Sequence, residues 1–141
     1  MSKFKGAKPN PSKFNPKSPE PPSTPQDPNQ LPPVFSFEYM VEGNGYSVTC
    51  CDRDNQAAVT ARMFLLRQVT WLQIRQAQRH GIGSEKIART AIKPAIPARV
   101  TDDAELLALR YNGLRPMIGF RDGRVFNILF IDHTMDCYPH E

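Results

Sequence analysis

Proton transfer beside a phosphate needs histidine or tyrosine near fixed positive charge, and this chain carries those residue types mainly in its second half. Arg79 and His80 stand together, Lys86, Arg89 and Lys93 follow, Arg110 comes next, and His133, Tyr138 and His140 close the chain. Histidine titrates near ~6.5 and exchanges protons at neutral pH, while arginine stays charged and grips phosphate through paired hydrogen bonds. Metal-free cleavage of RNA needs a group to activate the 2′-hydroxyl, cations to stabilise the phosphorane-like transition state, and an acid for the leaving oxygen. Arg110, His133, Tyr138 and His80 are the candidate catalytic residues on that reasoning. Arg75, Arg79, Lys86, Arg89 and Lys93 are the candidate nucleic-acid ligands.

The distribution of charge says more than the net value of +4. Between Arg62 and Arg99 eight basic residues face the single acid Glu85, a local excess of +7. Such a one-sided field suits a phosphate backbone or an acidic protein. Stronger motifs are missing: there is no phosphate-binding Gly-Lys-Ser/Thr loop, no dinucleotide glycine fingerprint, no Cys-x-x-Cys pair and no Gly-x-Ser-x-Gly elbow. Gly81-x-Gly83-Ser84 reads as a helix end and a turn, with phosphate binding as its sharper interpretation. The three cysteines, Cys50, Cys51 and Cys137, read as free thiols. Adjacent strand residues point to opposite faces, so Cys50 and Cys51 do not act together. His133 and Cys137, four apart, could meet Cys51 at a metal, but one such pair does not make a ligand set. No cofactor and no metal is expected.

The elements that must position these groups are legible in part. Residues 1–33 hold ten of the fourteen prolines and five lysines, and read as a disordered, basic, proline-rich tail. Residues 34–141 form the single folded domain. Val34 to Met40 alternates aromatic and polar residues, Gly43-Asn44-Gly45 supplies a reversal, and Tyr46 to Cys51 returns, which predicts an N-terminal β-hairpin. Asp52 or Asp54 caps a first helix with Ala58, Ala61, Leu65 and Val69 on its apolar side; Thr70 with Gln73 opens a second helix carrying Trp71 and Ile74. Residues 81–100, broken by Pro94 and Pro97, read as an irregular basic loop. Leu106 to Tyr111, Met117 to Arg121 and Val125 to Ile131 form a three-stranded antiparallel meander with Asp122-Gly123 at its last turn. The final strand is continuously apolar and is expected at the sheet centre, covered on both faces. The predicted class is α+β: hairpin, two helices, meander, with the helices packed on one face. The charged N-terminus and the lack of a long apolar run predict a cytoplasmic protein with no membrane segment.

The segment Leu109-Arg110-Tyr111, then Pro116 to Arg121, Val125 to His133 and Tyr138, resembles the C-terminal half of RelE/ParE-type toxins. In that superfamily two helices precede an antiparallel meander whose apolar last strand runs into His or Arg and then Tyr. The likeness covers roughly the last 35 residues and the order of elements. It also extends to small uncharacterised bacterial proteins that close on an apolar strand, Asp, His and Tyr-Pro. The resemblance implies a ribosome-dependent mRNA interferase or a relative, in which Lys86, Arg89 and Lys93 bind phosphate, Arg110 stabilises the transition state and His133 and Tyr138 exchange protons. It also implies a cognate acidic antitoxin as partner, while ParE-like members act on gyrase instead of RNA. Two alternatives stand beside this endoribonuclease reading: a non-catalytic module that binds nucleic acid or an acidic protein through the basic surface, and a small-molecule or metal enzyme. Geometry separates the first two, because an enzyme brings His133, Tyr138 or His80 within reach of Arg110 on one concave face.

Overall fold

The apolar run at the end of the chain organises the molecule. The structure, a computed structural model, describes residues 26–78 and 81–140. Strand β5 (Val125–Ile131) pairs antiparallel with β4 (Arg115–Asp122) across the Asp122-Gly123 turn, where Gly123 takes a φ of 63° that a side chain would strain. Strand β4 pairs in turn with β3 (Leu106–Asn112), so the meander is present. It lies inside a larger mixed sheet of order β1-β5-β4-β3-β2, in which β1 (Val34–Ser36) runs parallel to β5 and β2 (Ser84–Ile87) runs antiparallel to β3. The central strand is therefore β4, with β5 beside it. Both faces of β5 are covered: Phe126 and Ile128 belong to one apolar cluster, Leu129 and Phe130 to the other. The register slips between Ile118 and Gly119, and there a Cβ on Gly119 would stand 2.0 Å from the Asn127 carbonyl oxygen, so only glycine lets the two strands close.

One face is covered by helices α1 (Arg53–Leu66) and α2 (Trp71–Gln76). Asp52 caps α1 by accepting from the Asn55 amide at 2.9 Å, and Thr70 and Gln73 form the reciprocal capping box of α2 at 3.2 and 2.9 Å. Trp71, Ile74 and Phe126 are fully buried there, and the Trp71 and Phe126 rings lie 5.9 Å apart. The buried stripe of α1 differs from the predicted one: Asn55, Val59 and Leu66 face inward, with Ala58 partly so, while Phe64 and Leu65 stand in solvent. Arg67 covers the exposed Phe64 ring at 3.7 Å.

Three sequence expectations need correction. The N-terminal hairpin does not form. Asn44 Oδ1 accepts from the Tyr46 amide at 2.9 Å and the Ser47 hydroxyl accepts from the Gly43 amide at 3.1 Å, so local bonds replace a returning ladder. Val34–Ser36 instead adds to the edge of β5, and Val48–Cys50 is a 3-10 turn. The loop after α2 is not wholly irregular, since Ser84–Ile87 extends the sheet as β2. Described residues before Val34 are also tied to the fold. Leu31 accepts from the Trp71 amide at 3.1 Å, Pro32 accepts from Arg124 Nε at 3.0 Å, and Asn29 accepts from Arg121 at 3.0 Å. Proline and its neighbours keep their carbonyl acceptors, so a proline-rich segment can still be tied to a sheet edge. Residues 1–25 of the predicted tail lie outside the described residues.

The opposite face of the sheet has no α-helix among the described residues, only the 3-10 turn Arg89–Ala91. Irregular segments supply Tyr46, Val100, Cys137 and Tyr138, which pack on Leu106, Ala108, Ile118 and Phe130. Polar bonds hold this coil in place: Arg89 donates to the Val100 and Thr101 carbonyls at 2.9 and 2.7 Å, and Tyr46 donates to Asp136 at 2.9 Å.

Candidate functional site

At the end of β5 the chain passes from apolar strand to a buried acid. The Asp132 amide donates to the Pro116 carbonyl at 2.9 Å, which fixes the residue beside the start of β4. Its carboxylate is fully buried and accepts three hydrogen bonds, from the Asp136 amide at 2.9 Å, the Cys137 amide at 3.1 Å and His140 Nε2 at 2.9 Å. Burying a carboxylate is costly unless its oxygens are satisfied. The last residues wrap back over the coil-covered face to satisfy them. A carboxylate oxygen accepts, so in this contact His140 Nε2 is the donor and Nδ1 is the other ring nitrogen.

His140 leans on Tyr138, with ring centroids 4.1 Å apart and planes inclined by 37°. Both line a cavity of about 680 Å³ whose other walls come from Glu85, Lys86 and Ile87 of β2, Arg110 of β3, and Leu114 and Met135. Antiparallel register puts Glu85 opposite Ala108, and alternation brings Arg110 to that same face. Burial raises the Tyr138 phenol to about 12, the Glu85 carboxylate adds to the rise, and Arg110 opposes it. The phenol is therefore protonated at neutral pH and is a hydrogen-bond donor beside a guanidinium.

The structure brings two of the four candidate catalytic residues together, Arg110 and Tyr138. His133 is turned elsewhere: its Nε2 meets the Gly45 carbonyl at 2.9 Å, its own carbonyl accepts from Arg115 Nε at 3.0 Å, and it does not line the cavity. Asp132 holds His140 and not its chain neighbour His133. Eight positions of coil separate the two partners, and no periodicity links them; the only sequence signal was an acid at the end of an apolar strand, where burial is enforced. His80 and Arg79 lie outside the described residues.

The four described candidate nucleic-acid ligands do not all share one surface. Lys86 pairs with Glu105 at 3.1 Å, Arg89 approaches Asp102 at 3.8 Å while clamping the 100–101 backbone, and Lys93 pairs with Asp136 at 3.5 Å. Arg75 ends α2 on the helix-covered face, whereas Lys93 stands with the coil of the opposite face. The cysteines are free thiols, two of them buried; burial pushes Cys51 up to about 11 and Cys137 higher still, while the Ser47 hydroxyl lowers Cys50. Among the described residues no group of three His, Cys, Asp or Glu side chains is placed to hold a metal, and no helix is long and apolar enough to cross a membrane. Comparison of the chain with protein-family models, with curated proteins and with solved structures finds no match.

Proposed function

We propose that the protein cleaves RNA by acid/base chemistry in the cavity shared by Arg110, Tyr138 and His140, as a RelE-like toxin-type domain. The observation that carries this reading is the pair Asp132–His140: a buried carboxylate orients an imidazole at the mouth of a concave site that also holds a guanidinium and a protonated phenol. In this proposal His140 takes the proton of a ribose 2′-hydroxyl as its oxygen bonds to the adjacent phosphorus. Arg110 faces the charge that grows on the non-bridging oxygens. Tyr138 gives its proton to the departing 5′-oxygen as the P–O5′ bond breaks, and the products are a 2′,3′-cyclic phosphate and a free 5′-hydroxyl. Asp132 positions the imidazole and fixes its tautomer, and touches no substrate.

The test is cleavage of an end-labelled single-stranded RNA, free and ribosome-bound, in the presence of chelator. His140→Ala should slow cleavage about 100-fold or more, the usual worth of a positioned general base, and Arg110→Ala should lower the rate with RNA affinity retained. A His140→Ala protein that cleaves like the wild type, or a wild type that leaves both RNA forms intact, would overturn the proposal.

A further inference from the structure

A second cavity, of about 1000 Å³, opens at the far end of the sheet, where β4 runs out and α2 begins. It shares only Lys86 with the cavity of Arg110, Tyr138 and His140. The Arg121 guanidinium lies 4.2 Å from the centre of the Trp71 indole. Two hydrogen bonds hold it there: Nε donates to the Gly123 carbonyl at 3.1 Å and NH1 donates to Asn29 Oδ1 at 3.0 Å. Arginine has five N–H donors in a rigid fork, so these two bonds orient the group without exhausting it.

Arg75 lines the same cavity from the last turn of α2, is exposed, and makes no hydrogen bond or ion pair among the described residues. The two guanidiniums feel one another. Arg121 is lowered from the usual arginine range, first by burial and then by the positive charge of Arg75, with Asp27 opposing. An arginine pair held against its own repulsion at the mouth of a cavity is relieved by an anion that accepts from both. Three acids also stand on this wall. Lys86 pairs with Glu105, whereas Asp103 keeps its charge while accepting from the Thr101 hydroxyl at 2.5 Å, so Asp103 and Asp122, with Asp27 beside Arg121, are the acids an anion must avoid. Aromatic surface lies within the same walls, since Tyr39 packs edge-on to Phe120 at 5.2 Å with Arg99 stacked 4.4 Å above it. Cations interleaved with aromatic rings suit a phosphate that arrives with a planar base.

We infer that Arg75 and Arg121 form a fork for a phosphate group, carried either by a free nucleotide or by the backbone of a single-stranded nucleic acid. The site is separate from the cleavage chemistry proposed above and does not depend on it.

Calorimetric titration of the full-length protein at low salt tests this with three probes: inorganic phosphate, uridine 5′-monophosphate and a single-stranded deoxyuridine dodecamer, which has no 2′-hydroxyl to be cleaved. Trp71 is the sole tryptophan, so its emission reports independently on the cavity beneath Arg121. Saturable binding of at least one probe is expected. Arg75→Glu should weaken it at least about tenfold, as loss of a charge-assisted contact does. Arg121→Lys, which keeps charge but not the fork, should weaken it also, Asp122→Asn should tighten it, and His140→Ala should leave it unchanged. Binding of the monophosphate assigns the site to nucleotides; binding of the dodecamer alone assigns it to a strand. Absence of binding by all three probes, or Arg75→Glu binding with wild-type affinity, would overturn the inference. Loss of binding in His140→Ala with Arg75→Glu unaffected would place the phosphate in the other cavity and overturn it equally.

Discussion

The two faces of the sheet are covered by different kinds of chain, and they do different work. On one, capped helices bury Trp71, Ile74 and Leu66 against Phe126 and Ile128, and most backbone groups are satisfied within the helices themselves. On the other, coil bearing Tyr46, Val100, Cys137 and Tyr138 covers Leu106, Ile118 and Phe130 and is held by side-chain bonds to Asp132, Asp136 and Arg89. Regular structure covers a sheet cheaply, and the cavity with Trp71 and Arg75 of α2 in its walls opens only at the end of the sheet. Coil pinned by a few polar anchors leaves a cavity, and the cavity with Arg110, Tyr138 and His140 lies on that side.

The comparison predicts two kinds of failure. Trp71→Ala or Phe126→Ala should cost about 3–5 kcal/mol, as deletions of large buried aromatics do, and unfolding should stay a single cooperative step. Denaturant titration followed by circular dichroism measures this. A loss below about 1 kcal/mol would mean that the helix-covered face is not the main core.

Asp132→Ala acts on the other face. It removes the acceptor of two amides and of His140, and unpaired buried donors should cost about 3 kcal/mol in total. Much of that loss should be local: amide exchange should accelerate at Cys137, at Asp136 and at Lys93, whose amide donates to the Cys137 carbonyl at 2.7 Å, before it does in β4 or β5. Uniform acceleration across the sheet would show that the two faces unfold as one unit.

The smallest expected effect concerns acid. The Asn55 amide bond, with the Asn55 side chain, holds the Asp52 carboxyl below the usual carboxylate range on the helix-covered side. The Thr134 hydroxyl, then the Tyr46 phenol, do so for Asp136 on the coil-covered side. A carboxyl depressed in the folded state contributes stability that is complete above its unfolded value near ~3.9 and is lost as pH falls through the folded value. Melting temperature should therefore be level from pH 7 to about pH 5 and fall below about pH 4. Asp52→Asn and Asp136→Asn should each flatten that fall slightly, since both carboxyls are exposed. If Asp136→Asn alone removes the whole acid response, the coil-covered face is the acid-labile one.

The helices, their caps and the meander were legible because each is a local pattern: Thr70 with Gln73, Asp122-Gly123, and an apolar run from Val125 to Ile131 that only Asn127 interrupts. The stripe of α1 was misread by a position because its apolar residues surround the helix, and only packing chose Val59 and Leu66 over Leu65. The aromatic alternation of Val34 to Met40 announced a strand that ends at Ser36, and not its partner, since nothing in a short strand specifies which open edge it joins.

The candidate site divides in the same way. Composition and order supplied the residue types, with Arg110 and Tyr138 among them, and put them late in the chain. The choice of His140 over His133 belongs to the tertiary structure alone. A carboxylate forced inside by the strand before it takes whichever donors the returning chain can bring within about 3 Å, and that is set by the path of the coil from Asp132 to His140, which carries no repeating pattern to be read.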